Sequence, residues 1–345
     1  MLGAKPLRGV MSNGMLASAK ELDLYDDHTG ILEIDKDAAP GASFAELYEL
    51  NDYLLDIENK SLTHRPDAFG IIGFAREVAG IQGLPFETPD WLNVFESTFE
   101  HNNSLRAPEI TIEDTSLSAR FQAVVLSDIN EAVPSPVQLQ TYLARSGVRP
   151  INASVDVSNY LMLLTGQPSH TYDYDKLKTL AGDDFTVRVR TAREEETLVL
   201  LDGKEVKLDT ADIVIAAGST AVGLAGIMGG QSTAVDSSTK NVLLEVATFD
   251  LYHMRSSQMR HGVFTDAVTR FTKGIPAELS TPVLNEAVRM ISRYTGAAAA
   301  SGVVDAYPNK NARITISVTE PFINNTLGTQ YAANDIYELL ENVGF

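Results

Sequence analysis

At 345 residues, with 44% apolar and 21% charged, the chain has room for two or three domains, each with its own core. No apolar run approaches the ~20 residues of a membrane span, and the opening M-L-G-A-K-P-L-R-G-V lacks the apolar core of a signal peptide. Absence of cysteine excludes disulfides, thiolate zinc sites and a cysteine nucleophile, and a cytoplasmic location is expected. The 46 acids against 27 bases leave a net charge of −19, which argues against a broad phosphate-binding face, because such a face draws on Lys and Arg.

Residues 1–45 carry turn signals at Asn13-Gly14 and Thr29-Gly30 and read as strands and loops without a complete domain. Beyond Pro66 and Asp67, the residues Ile71, Ile72, Ala75, Val78 and Ala79 recur at helical spacing, with Gly83 past the end. Residues 85–108, with Pro85, Pro89, Asn102, Asn103 and Pro108, read as a linker. In the main domain that follows, Arg120 to Ser127 alternates as a strand does. Ser135-Pro136 is an N-cap and first-turn pair for a helix ending before Gly147, and a second helix from Ala153 to Thr165 stops at Gly166. Phe185 to Arg190 reads as a strand, and T-L-V-L-L-D-G-K-E-V-K-L as a hairpin around Asp202-Gly203. Strands at 212–216, 222–227 and 241–246 lead to a long helix from Glu278 to Tyr294. Further on, Ile314 to Val318 alternates as a strand and Ala333 to Val343 as an amphipathic helix. The whole is an α+β, multidomain chain whose central domain has a mostly antiparallel sheet and packed helices.

The densest chemistry lies between Ala221 and Lys273, in A-V-G-L-A-G-I-M-G-G, N-V-L-L-E-V-A-T-F-D and H-G-V-F-T-D-A-V-T-R-F-T-K-G. Glu245 stands inside an apolar strand, where burial costs an ionised carboxylate several kcal/mol unless it is partnered. An acid tolerated there, beside a glycine-lined backbone, points to a ligand; an edge-strand or salt-bridged acid is the plainer reading. No H-E-x-x-H or H-x-H spacing is present, the Asp23, Asp26 and Asp27 group lacks a calcium-loop period, and no Lys-Ser/Thr follows G-I-M-G-G. No metal site is therefore expected.

Four ordered segments are similar to one family. L-R-G-V-M-S-N-G-M-L-A-S-A-K-E-L (Leu7 to Leu22) resembles the end of a tRNA-binding OB-type domain. H-R-P-D-A-F-G-I-I-G-F-A-R-E-V-A (His64 to Ala79) resembles the family's N-R-P-D…G-x-A-R-E, and S-N-Y-L-M-L-L-T-G-Q-P-S-H-T-Y-D (Ser158 to Asp173) its N-Y…G-Q-P-x-H-A-[FY]-D. With the Ala221–Lys273 run, the chain resembles β subunits of bacterial phenylalanine–tRNA ligases, centred on the B3/B4 editing domain. The resemblance implies an OB-type remnant at 1–45, a B1-like segment and linker at 46–107, a B3/B4 domain at 108–305 and a truncated B5 domain at 306–345. On that reading the chain is a fragment at both ends.

The family's editing site hydrolyses tyrosine wrongly esterified to tRNA(Phe). An apolar pocket shaped for phenylalanine rejects an isostere with one added hydroxyl only on the order of 10²-fold, so a second site that hydrogen-bonds the hydroxyl is needed. By resemblance Glu245 recognises the tyrosine hydroxyl, Gly229 leaves room for the ring, and Thr265 and Ala267 face the aminoacyl group. His170 orients water or contacts the ribose, with a near-neutral pKa if it acts as base, and Asn159 lies beside it. Thr265 and His170 are the catalytic pair in this reading; Glu245, Gly229, Ala267 and Asn159 bind substrate. Plainer readings remain open: a turn glycine at Gly229, a helix N-cap at Thr265, a structural loop histidine at His170. The implied partners are the α subunit of an α2β2 assembly and tRNA(Phe), with no membrane. ATP and Mg2+ belong to the full complex, and no cofactor is expected in this chain. The acidic balance conflicts with a tRNA partner unless most of the grip lies in other segments. His64, Thr171-Tyr172 and Thr272-Lys273 depart from the commonest family pattern. A tRNA-docking piece without editing activity is the alternative function.

Overall fold

The computed structural model describes residues 4–34, 36–310, 312 and 314–345. The first part is thin. Strands β1 (Lys5–Leu7) and β2 (Val10–Ser12) form an exposed antiparallel pair, and α1 (Phe44–Leu47) is one turn long. Tyr48, Leu24, Ala19 and Leu50 bury against Val137 and so tie this part to the rest. A 3-10 turn (Pro66–Phe69) leads into α2 (Ile71–Gln82), which ends at Gly83 in the left-handed region with φ 64°. Arg65 forks across Asp67 and bonds Glu77 at 2.8 Å, which fixes the entry to α2.

The main body follows in chain order. It opens with β3 (Glu109–Ile112), β4 (Ser118–Ser127), α3 (Val137–Arg145) and α4 (Ala153–Thr165). Next come β5 (His170–Asp173), α5 (Tyr174–Ala181), β6 (Thr186–Thr191), β7 (Thr197–Val199) and β8 (Glu205–Lys207). Then follow β9 (Ile213–Ala217), β10 (Thr220–Leu224), β11 (Met228–Gly229) and β12 (Val242–Phe249). It closes with α6 (Leu251–His261), α7 (Asp266–Phe271), α8 (Ser280–Thr295), β13 (Ala298–Ala299) and β14 (Val304–Ala306).

Two five-stranded sheets result, in the orders β11-β10-β9-β6-β3 and β13-β4-β12-β5, with β14 also on β4. Every pair among the described strands is antiparallel except β3 with β6. Alternation along β12 decides the layering. Val242, Leu244 and Val246 pack with the helical side chains Leu143, Leu161 and Leu284, while Leu243, Ala247 and Phe249 pack against the other sheet through Val187, Ile215 and Val222. At about 1.5–3 kcal/mol per fully buried aliphatic side chain, these two cores carry the domain. Glu245 falls on the sheet-facing side, the one acid in an otherwise apolar row.

Most expected elements are present, and the exceptions have physical reasons. Ser135 does not cap α3: its hydroxyl donates to Asp156 at 2.5 Å, and Pro136 takes the N-cap position without a side-chain bond. The 85–108 stretch is strapped down. Asn285 accepts from the Thr98 N–H at 3.4 Å and donates to the Glu96 carbonyl at 2.7 Å, and Trp91 packs on the helical core. Residues 314–318 form no strand; Ile314 and Ile316 are 83% and 78% exposed, and a lone alternating segment has no ladder to join among the described residues. Beyond it lie α9 (Glu320–Leu327) and α10 (Ala333–Asn342), the latter packed against α2. Helices α5 and α6 had no sequence forecast because their buried stripes are thin, only Tyr174 and Leu177 in one and Met254 and Ser257 in the other.

What docks α6 is polar. Asp212, wholly buried before β9, accepts from Ser257 at 2.6 Å, from the backbone N–H of Asp209 at 2.8 Å, from Arg260, and pairs with His261 Nε2 at 2.6 Å. Burial works against this carboxylate, but its hydrogen bonds prevail and hold its pKa below the usual range.

Candidate functional site

The glycine-rich run between β10 and β12 folds over the end of β5 and leaves a cavity of about 80 Å³, room for a few water molecules. Its polar lining comes from His170, Tyr172, Glu245 and Ser169, and its apolar lining includes Phe249, Ala267 and Phe271. Antiparallel pairing of β12 with β5 sets Glu245 directly opposite His170, so both side chains share one face. Tyr172, two residues along β5, shares that face and donates its hydroxyl to Glu245 Oε2 at 2.5 Å. The His170 and Tyr172 rings meet edge to face with centroids 4.5 Å apart.

Two glycines make the floor. Gly226 turns the chain at φ +64°, and a Cβ there would sit 2.8 Å from Met254 Sδ and 2.9 Å from the Phe271 ring. At Gly229 a Cβ would lie 2.6 Å from both Cε1 and Nε2 of His170, so the imidazole rests on bare backbone. Gly229→Ala is expected to displace the His170 ring and to cost about 1–3 kcal/mol by overpacking. Urea denaturation reads the cost, and the His170 ring resonances read the displacement.

Burial dominates the electrostatics. It pushes the Glu245 carboxyl up to about 7, against the opposing hydrogen bond from Tyr172. It pulls His170 down to about 4, so the imidazole is neutral at physiological pH. The Tyr172 hydroxyl is raised by burial, then by the Glu245 charge and hydrogen bond, and stays protonated as a donor. A near-neutral pKa for His170 is thus replaced by a depressed one. The ring accepts a hydrogen bond well but is a weak base.

The cavity brings together His170, Gly229, Glu245 and Ala267. His170 opens strand β5 and is half-buried there, where the sequence suggested a loop. Glu245 lies on an interior strand with no salt bridge among the described residues. Thr265 is outside the lining. Its hydroxyl accepts from the Val268 N–H at 3.2 Å as the N-cap of α7 and donates to the Ile227 carbonyl at 2.9 Å, so it anchors α7 to the glycine-rich run and sets Ala267 at the wall. Asn159, half-buried on α4, is also outside the lining. The sequence marks Tyr172 only as a departure from the family pattern, without a role in the site, because it places His170 in a loop; on strand β5 a residue two places on shares its face. Sequence reasoning passed over Ser169, whose buried hydroxyl lines the cavity with no partner among the described residues. Among the described residues, no group of three or more His, Asp or Glu side chains is placed to hold a metal, and no helix is long and apolar enough to cross a membrane.

The phenylalanine–tRNA ligase β subunit of Moorella thermoacetica is 38% identical over 343 residues, covering 97% of this chain and 41% of that protein. That of Psychrobacter arcticus is 36% identical over 345 residues, covering 98% and 41%. The chain thus spans about two-fifths of the length of the curated relatives it matches. A solved N-terminal fragment of the phenylalanyl-tRNA synthetase β subunit from Pyrococcus horikoshii overlaps 81% of this chain and 74% of its own, at 14% identity and a TM-score of 0.37, too loose a superposition to carry an argument. The family model described as the B3/4 domain matches residues 117–296, a stretch holding both sides of the cavity, and this chain belongs to that family.

Proposed function

We propose that this chain carries the editing site of a phenylalanine–tRNA ligase β subunit and hydrolyses the ester between tyrosine and tRNA(Phe). The observation that carries the reading is Glu245, an acid on an interior strand that faces a glycine-floored cavity and has one carboxylate oxygen without a protein donor among the described residues. A phenol entering there donates to that oxygen, whereas a phenyl ring desolvates the carboxylate and returns nothing. Gly229 and Ala267 keep the ring space open. Neutral His170 accepts a hydrogen bond from the attacking water or a ribose hydroxyl, and its weak basicity leaves a substrate hydroxyl to assist. Water cleaves the ester, the amino acid leaves as a carboxylate, and no ATP is consumed. Charging of tRNA(Phe), with ATP, Mg2+ and an α subunit in an α2β2 assembly, belongs in this proposal to the larger protein.

Deacylation of tyrosyl- and phenylalanyl-tRNA(Phe) tests it. The parent is expected to release tyrosine in preference to phenylalanine, and Glu245→Ala to lose that preference by roughly 10- to 100-fold, the worth of a hydrogen bond to a charged group. No release above the spontaneous rate by the folded parent would sink the reading and leave a docking role.

A further inference from the structure

We infer that Tyr172 is the positioning residue of this site: its hydroxyl holds Oε2 of Glu245 and thereby presents Oε1 to the cavity as the acceptor for a substrate phenol. The inference deepens the editing reading and rests on it. Tyr172 is 2% exposed, and its hydroxyl supplies the only hydrogen bond to the Glu245 carboxyl among the described residues. Its ring is pinned edge-on by His170. Across the cavity the hydroxyl faces β10 at Gly223, where an added Cβ would stand 3.9 Å from it.

The chemistry follows from what else faces Glu245. From β5 come His170 and Tyr172, the two titratable groups in the lining besides Glu245 itself; β10 and β11 bring Gly223, Met228 and Gly229, and α7 brings Ala267 and Phe271. On β4 the residue paired with Glu245 is Ala123. No cation among these stabilises the anion. The Tyr172 bond opposes the proton uptake that burial favours, keeping part of the population anionic near neutral pH. A protonated carboxyl is a poorer acceptor for a phenol, so without the Tyr172 hydroxyl the distinction between tyrosine and phenylalanine weakens at neutral pH and returns at higher pH.

Tyr172→Phe keeps the ring and removes only the donor. Two readouts apply to the whole chain: the Glu245 carboxyl titration by carbon NMR, assigned with Glu245→Gln, and the ratio of tyrosine to phenylalanine deacylation against pH. The Glu245 midpoint is expected to move upward by about one pH unit. The ratio should fall roughly tenfold at neutral pH and recover in alkali. An unmoved midpoint overturns the inference whatever the activity, and so does a moved midpoint with an unchanged ratio in an active parent. A parent that does not deacylate at all overturns the editing reading, and with it the role toward a phenol, while the titration still shows whether Tyr172 holds the carboxylate.

Discussion

Asp212→Ala is expected to unfold about 3–5 kcal/mol more easily than the parent, the largest stability loss anticipated from a single polar substitution here. The carboxylate is wholly buried and gathers Ser257, Arg260, His261 and the Asp209 N–H from two stretches of chain. Its removal leaves Ser257 and His261 without their acceptor and leaves Arg260 only its looser ion pair with Asp209 at 3.7 Å. Arg260 is one-third exposed and recovers some hydration, which trims the cost toward the lower end of the range. Urea unfolding followed by circular dichroism measures it: at a slope of about 1–3 kcal/mol/M the midpoint falls by one molar or more. A loss below about 1 kcal/mol would mean that α6 is held by Met254 and its apolar neighbours alone. Since α6 and α7 follow β12 directly, a loosened α6 should also widen the cavity wall at Phe271.

The second large effect is a dependence on pH that the parent conceals. Glu245 rises from 4.5 to about 7 on folding, so its stabilising contribution is full below 4.5 and is lost as pH rises through 7. His170 falls from 6.5 to about 4, so its contribution is full above 6.5 and is lost as pH falls through 4. Between about 4.5 and 6.5 the unfolded pair is carboxylate plus imidazolium, and the folded pair is carboxylic acid plus imidazole. Both hold one proton, so in this window folding takes up none through the pair and the two slopes cancel. At about 1.4 kcal/mol per pH unit, each displacement alone is worth on the order of 3 kcal/mol. Glu245→Gln is therefore expected to gain on the order of 3 kcal/mol of stability from pH 4 to 6.5, and His170→Asn to lose a comparable amount from pH 4.5 to 7. The parent should show neither of these two slopes, only that of its other shifted carboxyls, which all three chains share. Denaturation of the three chains across this range decides it; parallel profiles would show that neither group is buried as described.

Much of the local structure was legible in the residues alone. Helix α4 begins after Asn152, whose side chain accepts from the Val155 N–H at 3.0 Å, and ends at Gly166 with φ +82°. A left-handed glycine past the last turn is a local device, and local rules find it. The hairpin of β7 and β8 follows in the same way from Asp202-Gly203. The oddity of an acid in V-L-L-E-V-A also needed no fold, since one charged residue in an apolar strand is costly wherever that strand lies. The family motifs singled out His170, Gly229 and Ala267 before any geometry was known.

Assembly of the site belonged to the tertiary structure, because residue spacing states which face a side chain takes and not which strand lies beside it. Only the register of β5 on β12 sets His170 opposite Glu245, and only the close pass of β11 sets that imidazole on Gly229. The same packing brought the Thr265 hydroxyl to the Ile227 carbonyl, gave Ser135 to Asp156 in place of α3, and lowered His170 by enclosing it. By itself, then, the sequence determined most of the strands and helices, though not α5, α6 or the missing strand at 314–318, together with the buried acid and the family. The long-range pairings decided which groups meet and how much water they keep, and those two quantities govern the proton on Glu245 and the partner of Tyr172.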